Sequence, residues 1–104
     1  MRRVSEHEFT AELWRWEARS EESGAAWYFV SLPFDVSDAI DEAVPRRGFG
    51  SVRVEVSVGA STWRTSVFPS AERRTYVLPV KKAVRTAEGL VEGGPCTVRL
   101  RRVE

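Results

Sequence analysis

A single cysteine, Cys96, and a single histidine, His7, stand among the 104 residues. One cysteine excludes an intramolecular disulfide, and the chain fits a reducing compartment. One histidine and one cysteine leave no paired spacing that suits zinc. The same scarcity removes a Ser-His-acid triad, because His7 falls in an expected frayed end. No apolar run approaches the roughly 20 residues needed to cross a bilayer. Met1-Arg-Arg-Val-Ser-Glu-His-Glu8 has no apolar core behind its two arginines, so it does not read as a secretory signal. A glycine-rich nucleotide loop is missing too, since Gly48-Phe-Gly50 is too short a pattern. From these absences the expectation is a cytoplasmic chain with no membrane partner and no cofactor.

Charge of one sign is also in short supply. Sixteen basic and fifteen acidic side chains leave a net charge of +1. A dedicated nucleic-acid protein usually carries a large basic excess, so the balance argues against one. The charge is nevertheless sorted along the chain. Residues 5 to 22 hold six Glu, residues 35 to 42 hold three Asp and one Glu, and residues 99 to 102 hold three Arg. A local basic face is therefore compatible with the overall balance. Hydrophobic residues at 42% and charged residues at 30% are a globular mixture rather than a disordered one. The length allows one core and no second, so residues 1–104 read as one domain, with 1–6 as a flexible tail.

The chain is rich in short strand patterns. Phe9-Thr-Ala-Glu-Leu13 alternates with period two, and Trp27-Tyr-Phe-Val-Ser-Leu32 is aromatic and β-branched. Arg19 to Gly24 reads as the turn that pairs the second strand back on the first. Asp35 to Val44 switches to helical spacing, with Val36, Ala39, Ile40, Ala43 and Val44 on one face. Asp35 is the expected N-cap, and Phe34 the expected staple against Ala39. Pro45 stops that helix. Val52, Val54, Val56 and Val58 alternate with polar residues, which is the clearest strand pattern in the chain. Gly59-Ala60 reads as a tight turn into Trp63–Phe68. Pro69 to Arg74 reads as a loop and Thr75–Leu78 as a strand. Val80, Ala83, Val84 and Ala87 share a helical face, with Gly89 suited to its C-terminal end. Gly93-Gly-Pro95 leads into a last strand, Cys96 to Val103. Six or seven short strands and two short helices favour an all-β or β-rich fold, a small antiparallel barrel or sandwich.

Longer motifs carry a family resemblance. They are Arg46-Arg-Gly-Phe-Gly-Ser-Val-Arg-Val54, Trp63-Arg-Thr-Ser-Val-Phe-Pro69 and Leu78-Pro-Val-Lys-Lys-Ala-Val-Arg-Thr-Ala-Glu-Gly89. Phe9-Thr-Ala-Glu-Leu-Trp14 and Trp27-Tyr-Phe-Val-Ser-Leu-Pro33 also fit. Together they resemble the bacterial domain of unknown function numbered nineteen-oh-five, over roughly residues 8 to 102. The resemblance implies a small double-split β-barrel with a short helical insertion. Members occur alone or ahead of a bacteriocin-protection-type domain. The family has no established activity, so the resemblance assigns no catalytic residue. One departure is Gly94-Pro95, where members tend to have Gly-Asp. Pro95 has no N–H and no carboxylate, which puts any turn-capping or ligating role of that position in doubt.

Ser61 to Arg85 gathers Arg64, Arg73, Arg74, Lys81, Lys82 and Arg85. Lys81 and Arg85 are four apart, a spacing at which like charges on a helix cost a few tenths of a kcal/mol. Arg64 lies near them if its strand packs beside this segment. A converging basic group suggests an anion, whether phosphate, carboxylate or an acidic patch of a partner. The alternative is a solvated face paired with Glu88, Glu92 or the acidic first helix. Arg46-Arg47 beside Phe49 could grip a phosphate backbone, or Phe49 could fill the core. Trp14 and Trp16 lie opposite Phe9, Ala11 and Leu13. Exposed, they would mark a partner surface; a β-bulge near Leu13 or a covering helix would bury them, and burial is the expectation. The functional expectation is a non-enzymatic binding or protein-interaction module, with homo-oligomers open. Its anion- or partner-binding residues are Arg47, Arg64, Lys81 and Arg85. A nucleic-acid or nucleotide binder is the alternative. An enzyme is disfavoured, for want of an acid–base pair with a defensible geometry.

Overall fold

The computed structural model of the chain describes residues 6–16, 27–43 and 50–103. The elements are β1 (Glu6–Glu12), β2 (Trp14–Trp16), β3 (Trp27–Ser31), α1 (Phe34–Ala43), β4 (Val52–Val58), β5 (Ser61–Ser70), β6 (Thr75–Pro79), α2 (Lys82–Glu88) and β7 (Pro95–Arg102). All strand pairs are antiparallel, in the order β1-β7-β4-β5-β6-β3-β2.

The two edge strands of that order are consecutive in sequence and are separated by Leu13 alone. Residues 6–16 therefore form one bent strand, whose first half pairs with β7 and whose second half pairs with β3. That continuity curls the sheet into a barrel. Leu13 is 1% exposed, its N–H donates to the Gly94 carbonyl, and its own carbonyl accepts from the Gly93 N–H. β5 makes the same exchange opposite. Its residues 61–67 pair with β4 and its residues 68–70 with β6. The product is the small antiparallel barrel with two short helices that the strand patterns imply.

Alternation fills the interior. Val54, Val56, Val98, Leu78, Val30 and Val67 are fully buried, each from a different position on the curled sheet. Gly59 takes φ +59° in the two-residue β4–β5 hairpin, a conformation costly for any residue with a Cβ.

Several expectations need correction. β3 pairs with β2 and β6, while the Phe9–Leu13 stretch pairs with β7, because the kink at Leu13 divides the first strand. Glu6 and His7 are strand residues opposite Arg101 and Leu100, so no tail extends to residue 6. α1 starts earlier than Asp35. The Ser37 N–H donates to the Pro33 carbonyl, which puts Pro33 at the cap and Asp35 in the first turn. Phe34 is 66% exposed and Ala39 is exposed, so no staple is buried between them. The helix docks through Val36, Ser37 and Ile40, and the Ser37 hydroxyl accepts from the Tyr76 N–H. β5 runs through Pro69 to Ser70, which shortens the expected loop. In α2 the buried side is Val84, while Ala83 and Ala87 are exposed. Gly89 ends that helix at φ +64°, as its sequence position implies. The Gly93–Gly94 turn is held by backbone bonds from Gly93 to Leu13 and from Gly94 to Val91, and Pro95 opens β7. The missing Asp carboxylate is not needed there, and Pro suits the first residue of a strand. The expected turn at Arg19–Gly24 lies outside the described residues, as does the Arg46–Phe49 segment.

Cys96 is 1% exposed, and burial pushes its thiol above the ordinary 9.0. The folded chain holds this proton more tightly than the unfolded chain does. Its contribution to stability is therefore intact below the unfolded value and is lost as pH rises through the folded one. The native protein is expected to resist a disulfide-exchange reagent at about pH 8 and to react with one equivalent when denatured. Rapid reaction of the native protein would contradict this placement.

Candidate functional site

β3, β5 and the β6–α2 connection meet at one end of the barrel. A cleft of about 690 Å³ opens there. Arg64 from β5, Lys81 from the connection, and Lys82 and Arg85 from α2 line it. Trp27, Tyr28 and Trp63 supply its aromatic wall.

Three of the four residues singled out in the sequence, Arg64, Lys81 and Arg85, therefore share one concavity. The fourth, Arg47, lies outside the described residues. The Arg85 Nε donates to the Val80 carbonyl at 3.2 Å, and the guanidinium sits 4.0 Å from the centroid of the Tyr28 ring. These two contacts fix the side chain and leave its terminal nitrogens available to a ligand. Lys81 Nζ lies 6.0 Å from the Trp63 centroid, a cation–π contact at the outer limit.

Among the described residues, carboxylates do little to neutralise this group. Arg64 Nε is 3.9 Å from Glu55, a carboxylate that also accepts from Arg101 at 2.5 Å. Glu88, one of the expected partners, instead accepts from the Ser61 hydroxyl at 2.7 Å. Asp41 of the acidic helix accepts from the Tyr76 hydroxyl. Among the described residues no carboxylate forms an ion pair with Lys81, Lys82 or Arg85.

Trp27 also belongs to a second feature. On the outer face of β2 and β3, the Trp14 and Phe29 rings stack 5.1 Å apart, and Trp27 and Phe29 lie 6.4 Å apart, 18° from parallel. Arg73 covers the far side of Trp14 at 3.5 Å. The Trp14 indole N–H donates to the Ser31 hydroxyl. Trp16 pairs with Trp27 across the strands, and the two are 48% and 52% exposed. The expected burial of Trp14 and Trp16 is thus half right. Trp14 is partly covered by Phe29 and Arg73, whereas Trp16 stays about half exposed.

Residue patterning alone missed Trp27, Tyr28 and Trp63 as cleft residues. Their meeting depends on β3 lying beside β6, a long-range pairing that no local spacing reveals. Arg73 and Arg74 belong elsewhere: Arg73 lies on Trp14, and Arg74 occupies the β5–β6 turn at φ +61°. Among the described residues no group of three or more His, Cys, Asp or Glu is placed to hold a metal. Among them, too, no helix is long and apolar enough to cross a membrane.

No curated protein matches the chain. The family model described as Domain of unknown function (DUF1905) matches residues 9–100, nearly the whole length, and the chain belongs to that family.

Proposed function

We propose that the chain is a non-enzymatic binding module that holds an anionic ligand in the basic cleft. The observation that carries this reading is the gathering of Arg64, Lys81, Lys82 and Arg85 around one concavity, with only Arg64 ion-paired to a carboxylate among the described residues. Like charges held together repel, and an anion bound among them removes that repulsion while gaining charge-assisted hydrogen bonds. Arg85 is already immobilised, so it loses little freedom when a ligand arrives. The lining offers charge and ring surface. It includes no described carboxylate, imidazole or thiol to shuttle a proton, which favours binding over acid–base chemistry. Cytoplasmic residence in a bacterium is part of the same proposal, supported by the single cysteine and the family resemblance.

Inorganic triphosphate is a suitable first probe. In an amide NMR titration at low salt, saturable shifts are expected at Trp63, Arg64 and residues 81–85, and at the Trp27 indole. Serine at Arg64, Lys81 and Arg85 together is expected to remove them. Shifts scattered over the whole surface, or none at low salt, would overturn the reading.

A further inference from the structure

Resting on that reading, we infer that the anion is the backbone of a single-stranded nucleic acid, whose bases stack on Trp27 and Trp16. The argument starts from which aromatic faces remain open. In the cleft, Tyr28 is covered by Arg85, and Trp63 faces Lys81. Trp14 is sandwiched between Phe29 and Arg73. Phe34 and Phe68 are exposed away from the cleft lining; the exposed rings at the cleft are Trp27, which lines it, and Trp16, its cross-strand neighbour.

Trp27 lines the basic cleft and also ends the stacked Trp14–Phe29–Trp27 row. A cationic groove thus runs directly onto an exposed aromatic platform. This is the arrangement that binds single strands, with cations following the phosphates and indoles taking the unpaired bases. A small anion alone would occupy the cleft and leave Trp16 unused. A duplex hides its base faces and could not use either ring. The net charge of +1 does not oppose this, because the field of the cleft rather than the total charge meets the strand.

The test uses the unaltered protein and three probes of matched length, about ten nucleotides. They are oligothymidylate, an abasic deoxyribose-phosphate chain and a duplex. Binding is read by anisotropy of a labelled probe and by tryptophan fluorescence. Oligothymidylate is expected to bind on the order of a hundredfold more tightly than the abasic chain, about tenfold for each stacked base, with indole quenching. Four phosphate contacts predict a slope of log affinity against log salt of about −3. Trp27→Ala and Trp16→Ala are each expected to weaken oligothymidylate binding about tenfold, and Trp16→Ala, outside the cleft lining, to leave the abasic chain unaffected. Trp27→Phe keeps a ring and should recover much of the loss. Equal affinity for the abasic chain would overturn the inference and leave the anion reading standing. So would a duplex, or free thymidine triphosphate, that binds as tightly as the oligomer. Failure of all these probes and of inorganic triphosphate would remove both.

Discussion

Leu13→Ala is expected to lower the melting temperature by about 15 °C, because a buried Leu→Ala change costs roughly 3 kcal/mol and a domain of this size loses about 5 °C per kcal/mol. Leu13 is 1% exposed and occupies the bend between β1 and β2. Its backbone bonds to Gly93 and Gly94 are kept in the variant, so the loss is that of the side chain. The cavity opens at the seam where one continuous strand passes from β7 to β3. Relaxation there would have to move both pairings, so collapse of the cavity is resisted and the cost should sit in the middle of the usual range. Calorimetry of the variant beside Val91→Ala gives the contrast. Val91 is 65% exposed, and its change should leave the melting temperature almost unaltered. A Leu13→Ala drop no larger than that of Val91→Ala would show that the seam does not hold the barrel closed.

At this seam the strand was legible and the bend was not. Phe9, Ala11 and Leu13 keep odd numbers facing inward, and Trp14 and Trp16 take the even, outer positions of the same alternation, so the pattern runs through the bend unbroken. Pairing the second half with β3 depends on contacts far along the chain. β4 was the easiest element, because four valines at period two fit only a strand with one buried face. The start of α1 was misread for a local reason. Asp35 is a favoured cap, but Pro33 has no N–H to satisfy and has a carbonyl free to accept from Ser37. In the cleft, Lys81 and Arg85 were readable from their spacing, and Arg64 only on a condition about strand packing. Trp27 and Tyr28 enter through the β3–β6 register, where Phe29 faces Pro79 and Val30 faces Leu78.

The charge pair Lys81 and Lys82 provides a prediction with two opposite signs. Lys81 occupies the N-cap of α2 in an extended conformation and makes no capping hydrogen bond, and the first turn contains no acid. Lysine cannot accept a hydrogen bond, and its charge opposes the positive end of the helix. For folding alone, Asp and Glu would serve better at these two places. Lys81→Asp/Lys82→Glu should therefore stabilise the fold by about 1 kcal/mol. A cap contributes roughly 1 kcal/mol and an acid in the first turn about 0.5, against about 0.5 lost with the Trp63 contact. The melting temperature should rise by about 5 °C. Binding of inorganic triphosphate should fall by at least about a hundredfold, since two charge-assisted contacts of roughly 1.5 kcal/mol or more become repulsions. Local rules broken without a structural gain are characteristic of functional positions, where stability is surrendered for binding. A variant that loses both stability and affinity would instead make the two lysines structural. In that case the cleft's charge would need an origin other than an anionic ligand.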